Sequence, residues 1–136
     1  MSEKTMRQRI VKALQSLDAL AVENPMHPGT PDVNYVEGWI ELKWLKRWPK
    51  NADKSPVLIE HFTPQQRVWL RRRALRKGNV LLLFQVSHTK EWFLFKGDVA
   101  AEHFGKITRP QMYELAYKVW TGLKDKELLE CLRQKD

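Results

Sequence analysis

The chain has 136 residues, 43% of them apolar, and six tryptophans, enough for one domain with its own core and too apolar for a disordered chain. Its single cysteine, Cys131, excludes an intrachain disulfide framework and fits a reducing compartment. A net charge of +8 points to a polyanionic partner, and the longest unbroken apolar run, Val80 to Phe84, is too short to span a membrane.

The opening MSEKTMRQRI is charged and lacks the apolar centre of a signal peptide, so a soluble, cytoplasmic protein is expected. Residues 3 to 20 read as an amphipathic helix capped by Ser2, with Met6, Ile10, Ala13, Leu14 and Leu17 on one stripe. Ala19 to Val22 extends into a short edge strand. Pro25, Pro28, Gly29 and Pro31 impose a loop that carries His27 and delivers Asp32. Val33–Val36 and Trp39–Lys43 then read as the strands of a hairpin turning at Glu37-Gly38.

That turn pairs Asn34 with Glu41 and Asp32 with Lys43. Side chains alternate along a strand, so all four share one face while Ile40 and Leu42 point to a core. Asp32 and Glu41 become diagonal neighbours, roughly 7–8 Å apart at the backbone, close enough for two carboxylates to hold one cation.

Trp44 to Ser55 is a basic loop and the best candidate for a mobile segment over a substrate, followed by a strand over Val57–Glu60. Thr63 caps a helix with Pro64 at its first position, running to Lys77 and ended by Gly78. Gln66, Leu70 and Ala74 share its sheet-facing side. Val80–Val86 reads as a central buried strand and Glu91–Lys96 as the next. Asp98–Phe104 is a short helix. Thr108 and Gln111 form a capping box opening a helix to about Trp120, and Asp125 starts a last helix that runs to the end. The whole predicts an α/β sandwich around a small mixed sheet. It is a single domain, with a core over about 2–97 and a helical extension over about 98–136.

The positive charge is clustered. Lys46, Arg47 and Lys50 lie in the loop after Lys43, and Arg67, Arg71, Arg72, Arg73 and Arg76 crowd one helix without an acid among them. These are the candidate nucleic-acid-binding residues, with His27 as a further contact; the alternative is a solvated face. Trp44, Trp48 and Trp69 interleave with them, as base-stacking or packing groups, with packing favoured for Trp69. His61, His88 and His103 are isolated and read as loop or surface residues. No paired Cys/His spacing supports a structural zinc, and no phosphate-binding glycine loop supports a nucleotide cofactor.

Pro31-Asp32, an eight-residue gap, and Glu41-Leu42-Lys43 together resemble the signature of the PD-(D/E)XK nuclease superfamily. The surrounding Ser2-Glu3, Gly29-Thr30-Pro31-Asp32 and Thr63-Pro64-Gln65-Gln66 are similar to those of VRR-NUC-type and phage Holliday-junction-resolvase-like members, over roughly residues 2 to 87. The resemblance implies a restriction-endonuclease-like α/β sandwich and a Mg²⁺-dependent DNA endonuclease, with Mn²⁺ able to substitute. It implies Asp32, Glu41 and the Leu42 carbonyl as metal ligands and Lys43 as the group that orients the attacking water. It adds Gln66 and Glu3 as further site residues; Glu23 is a rival to Glu3. Branched or junction DNA cut by a homodimer, from a phage-encoded enzyme acting in the host cytoplasm, is the implied setting. The alternatives are a nuclease without junction preference and a non-catalytic nucleic-acid-binding module on the same scaffold; against the latter stands the presence of Asp32, Glu41 and Lys43 together.

Overall fold

The computed structural model describes residues 2–24 and 26–133; the expectations for Pro25 and for the last three residues of the C-terminal helix lie outside them. The described helices are α1 (Glu3–Ala13), α2 (Pro64–Leu75), α3 (Gly97–His103), α4 (Arg109–Leu115) and α5 (Asp125–Leu132). The strands are β1 (Leu20–Ala21), β2 (Val33–Tyr35), β3 (Gly38–Leu45), β4 (Val80–Val86), β5 (Glu91–Lys96) and β6 (Lys118–Thr121), forming one sheet in chain order. Among the described strands only β3 and β4 are parallel. Parallel neighbours need a crossover, and the segment 46–79 containing α2 supplies it.

Helices cover both faces of the sheet. On one, Met6 and Ile10 of α1 and Leu128 and Leu132 of α5 pack with Ile40, Leu42, Leu81, Leu83 and Leu94. On the other, Leu70, Ala100, Phe104 and Met112 pack with Leu82, Phe84, Phe93 and Phe95. A strand roofed on both faces loses the polar alternation of a half-exposed one, and every residue of β4 is accordingly buried. The mixed α/β class is as expected, and among the described residues no helix is long and apolar enough to cross a membrane.

Several elements depart from the sequence reading. The first helix stops at Ala13 and a 3₁₀ turn follows, because Asp18 takes a left-handed φ of 56° that redirects the chain into β1. Helix α2 ends in a Schellman arrangement in which Gly78 N–H donates to the Arg73 carbonyl (2.7 Å) and Lys77 N–H to that of Ala74 (3.0 Å). The left-handed residue there is Lys77, at φ 64°, and not Gly78. Val57 and Ile59 are buried with Leu58 exposed between them, a strand-like alternation, yet the described pairing is one bond from Val57 N–H to the Ile107 carbonyl, and no strand forms.

The largest departure lies near the C-terminus. The helix opened by the Thr108–Gln111 capping box ends at Leu115, and the residues expected to continue it form β6. Trp120 pairs with Trp92 and Val119 with Phe93. The segment after residue 97 therefore contributes a strand to the sheet and Leu128 and Leu132 to the core. Trp120, Leu128 and Leu132 of that segment are buried within the chain's own core.

Candidate active site

The β2–β3 hairpin builds the site. Its register pairs Val33 with Ile40, Asn34 with Trp39 and Tyr35 with Gly38, so the turn is Val36-Glu37 and Asp32 falls level with Glu41 rather than diagonal to it. Gly38 opens β3 because of a close approach: a Cβ there would lie 2.0 Å from the Asn79 carbonyl oxygen. Trp39 N–H donates to that same carbonyl at 3.0 Å. Relative to the expected register, each pair has moved by an even number of residues, so the faces are unchanged. Asp32, Glu41 and Lys43 lie on one side, and Ile40 and Leu42 enter the core on the other.

Asp32 is held by its backbone and its side chain. Val22 N–H donates to its carbonyl (2.8 Å), and Leu42 N–H donates to Oδ2 (2.9 Å). Glu41 is 1% exposed and Lys43 2%. Lys43 Nζ lies 3.2 Å from Glu41 Oε2 and donates to the His61 carbonyl at 2.8 Å. Glu41 Oε2 also accepts from Gln66 Nε2 at 3.0 Å, while Oε1 is buried with no hydrogen-bond partner. Burial, then repulsion from the neighbouring Asp32, holds the Glu41 carboxyl well above the usual carboxylate range, against the pull of Lys43.

Gln66 performs two tasks at once. Its Oε1 accepts from Thr63 N–H (2.9 Å), completing the capping box of α2, and this fixes the amide so that Nε2 faces Glu41. The cap and the site contact are one rotamer. Glu3, in the first turn of α1, lines an open hollow with Asp32 and Leu42, and its Oε2 lies 3.2 Å from His61 Nε2. Glu23 is not among the residues lining that hollow.

Among the described residues no group of three or more acidic, His or Cys side chains converges on one point. The oxygen donors brought together here are the Asp32 and Glu41 carboxylates. That set fits a hard divalent cation of the Mg²⁺ type, which keeps several waters and takes few protein ligands. A buried glutamate oxygen without a partner, beside a second carboxylate, is the group such a cation would satisfy.

The basic residues separate into different roles. Arg67 stacks over the Phe62 ring (4.5 Å) and donates to the Ala101 carbonyl (3.2 Å), which makes it a tie between α2 and α3. Arg71 is exposed and reaches the same carbonyl at 3.4 Å. Arg72 and Arg73 are exposed and border a groove that His27 also lines. Arg76, Lys46, Arg47 and Lys50 are exposed. The loop bearing the last three is pinned, since Trp48 packs on Phe84 and Phe93 and donates to Glu91 (2.7 Å).

The sequence reading missed Lys4 and Arg7, which line the hollow beside Glu3 and Asp32. Their spacing of three on α1 was the available signal. It also set aside His61, whose carbonyl accepts from Lys43 and whose ring stands beside Glu3. Compared with known proteins, the chain matches no family model and no curated protein.

Proposed function

We propose that this protein is a divalent-cation-dependent DNA endonuclease of the PD-(D/E)XK type, on a restriction-endonuclease-like sandwich. The observation that carries the reading is Glu41: a buried carboxylate with one unpartnered oxygen, level with Asp32 and flanked by the equally buried Lys43. A bound Mg²⁺ or Mn²⁺ would supply an activated water and neutralise charge on the scissile phosphate. Asp32, Glu41 and the Leu42 carbonyl are the residues to hold it.

The protein's own groups do the rest. Lys43, fixed between Glu41 and the His61 carbonyl, orients the attacking water and offsets charge developing on the phosphate. Gln66 keeps the Glu41 carboxylate in place from the rigid start of α2. Lys4 and Arg7, at the rim of the hollow, neutralise the flanking phosphates. Branched DNA as substrate, a homodimer presenting two sites to two strands, and action in the cytoplasm are further parts of this proposal, resting on the resemblance and on the symmetry that paired incisions require.

Nicking of supercoiled plasmid tests the reading. Conversion to open circle is expected in Mg²⁺ and not in EDTA, and should be lost in Asp32→Ala. Wild-type nicking by purified Asp32→Ala would remove the site from the account.

A further inference from the structure

Beside the carboxylate pair, Asn24, residues 26–30 and the first turns of α2 border a groove of about 600 Å³, within the range of small-molecule sites. Trp39 and Trp69 meet edge to face in it at 5.4 Å. Val68 and Met26 line it while remaining 50% and 82% exposed, apolar surface that the fold itself does not use. Arg72 and Arg73 border it, with the Arg73 guanidinium 4.4 Å from the Trp69 ring, and among the described residues no acidic one lines it.

The groove adjoins the site through the backbone. Trp39 stands two residues before Glu41 on the same face of β3, a step of about 6–7 Å that one extended nucleotide covers. Thr30 and Gln65, which also line it, stand two residues before Asp32 and one before Gln66. A recess with aromatic and apolar walls does not match the charged, convex backbone of a duplex. It matches the face of a base that has left the stack, with arginines beside it for the phosphate.

We propose that this groove binds an unpaired nucleotide of the DNA strand whose neighbouring phosphate lies at Asp32 and Glu41. The enzyme would then prefer DNA in which a single-stranded segment meets a duplex. This rests on the nuclease reading, and it names the feature of the substrate that the site selects.

The test uses fluorescently labelled DNA in EDTA, so that binding is read without cleavage. A duplex with a short single-stranded thymidine overhang is compared with a blunt duplex of equal length. Wild type should bind the overhang substrate at least tenfold more tightly, and a 2-aminopurine placed in the overhang should be quenched on binding. Val68→Glu, a change at a half-exposed position, should abolish both the preference and the quenching. Leu75→Glu, with the same charge change on the same helix but outside the groove, should retain both. Trp39→Leu should weaken overhang binding in the same direction as Val68→Glu, and thermal melts establish that each variant is folded. Equal affinity for the two substrates, an unchanged Val68→Glu, or tighter binding of an acidic, aromatic peptide than of the overhang would overturn the proposal. Failure here with Mg²⁺-dependent nicking intact refutes the groove alone. Overhang preference in a protein that never nicks DNA refutes the nuclease reading instead.

Discussion

Glu41 and Glu91 are both buried, on strands that flank the same central strand, and they are partnered in opposite ways. Around Glu91 every need is met. Oε1 accepts from Trp48 Nε1 (2.7 Å), Thr89 Oγ1 (2.7 Å) and Arg109 Nη2 (3.2 Å), and Oε2 accepts from the Tyr113 hydroxyl. Burial pushes its carboxyl up, but the bonds from Thr89, Tyr113 and Trp48 and the Arg109 charge carry it below the usual range. Glu41 has Lys43, Gln66, a neighbouring carboxylate and one oxygen with no partner. A satisfied buried charge clasps the fold together, here the basic loop against β5 and α4. An incompletely partnered one is kept at a cost in stability, which the proposed cation would offset.

The sharpest break in that comparison is catalytic. Asp32→Ala and Glu41→Gln should each lower Mg²⁺-dependent nicking at least about a thousandfold, roughly 4 kcal/mol of transition-state stabilisation. Glu91→Ala should nick within a few-fold of wild type, measured well below its melting temperature. The same Glu91→Ala should lose on the order of 3 kcal/mol of stability, because it strands Arg109 and three hydrogen-bond donors; urea unfolding measures it. Lys43→Met keeps the buried stem and removes the charge, so cleavage should fall about a hundredfold while DNA affinity in EDTA holds.

The two glutamates should also respond oppositely to pH. Folded protein retains the Glu41 proton where the unfolded chain has lost it, so this group's contribution is full below the ordinary carboxylate range. It is lost as pH rises through the raised value. In EDTA the melting temperature of Glu41→Gln should lack that downward trend and exceed wild type by a few degrees at neutral pH. Glu91 works the other way, its contribution present above the ordinary range and lost as pH falls through its depressed value. The smallest effect belongs to the cap: Thr63→Ala should cost about 1 kcal/mol of stability by removing the hydroxyl that accepts from Gln66 N–H.

How much of this could be read from the chain depended on how local the cause was. The shared face of Asp32, Glu41 and Lys43 follows from two-residue alternation, which survives any even slip in register. The register itself did not, because Gly38 is required by the Asn79 carbonyl, far away in sequence, and not by the turn. Thr63-Pro64 and Thr108 with Gln111 announced their helices correctly, since caps are local chemistry. Where α4 stops was hidden: Val119 and Trp120 become a strand only because the edge of β5 is there to pair with them. Arg67 looked like its arginine neighbours until the fold set Phe62 and the Ala101 carbonyl beside it.

The central claim, that the incomplete carboxylate is a cation site and the complete one is not, is tested most directly by titrating Mn²⁺ into the protein and following free Mn²⁺ by electron paramagnetic resonance. The account predicts saturable binding to wild type that is lost in Asp32→Ala and Glu41→Gln and kept in a Glu91→Gln control, with Mg²⁺ competing. Equal Mn²⁺ binding by wild type and Glu41→Gln would contradict it.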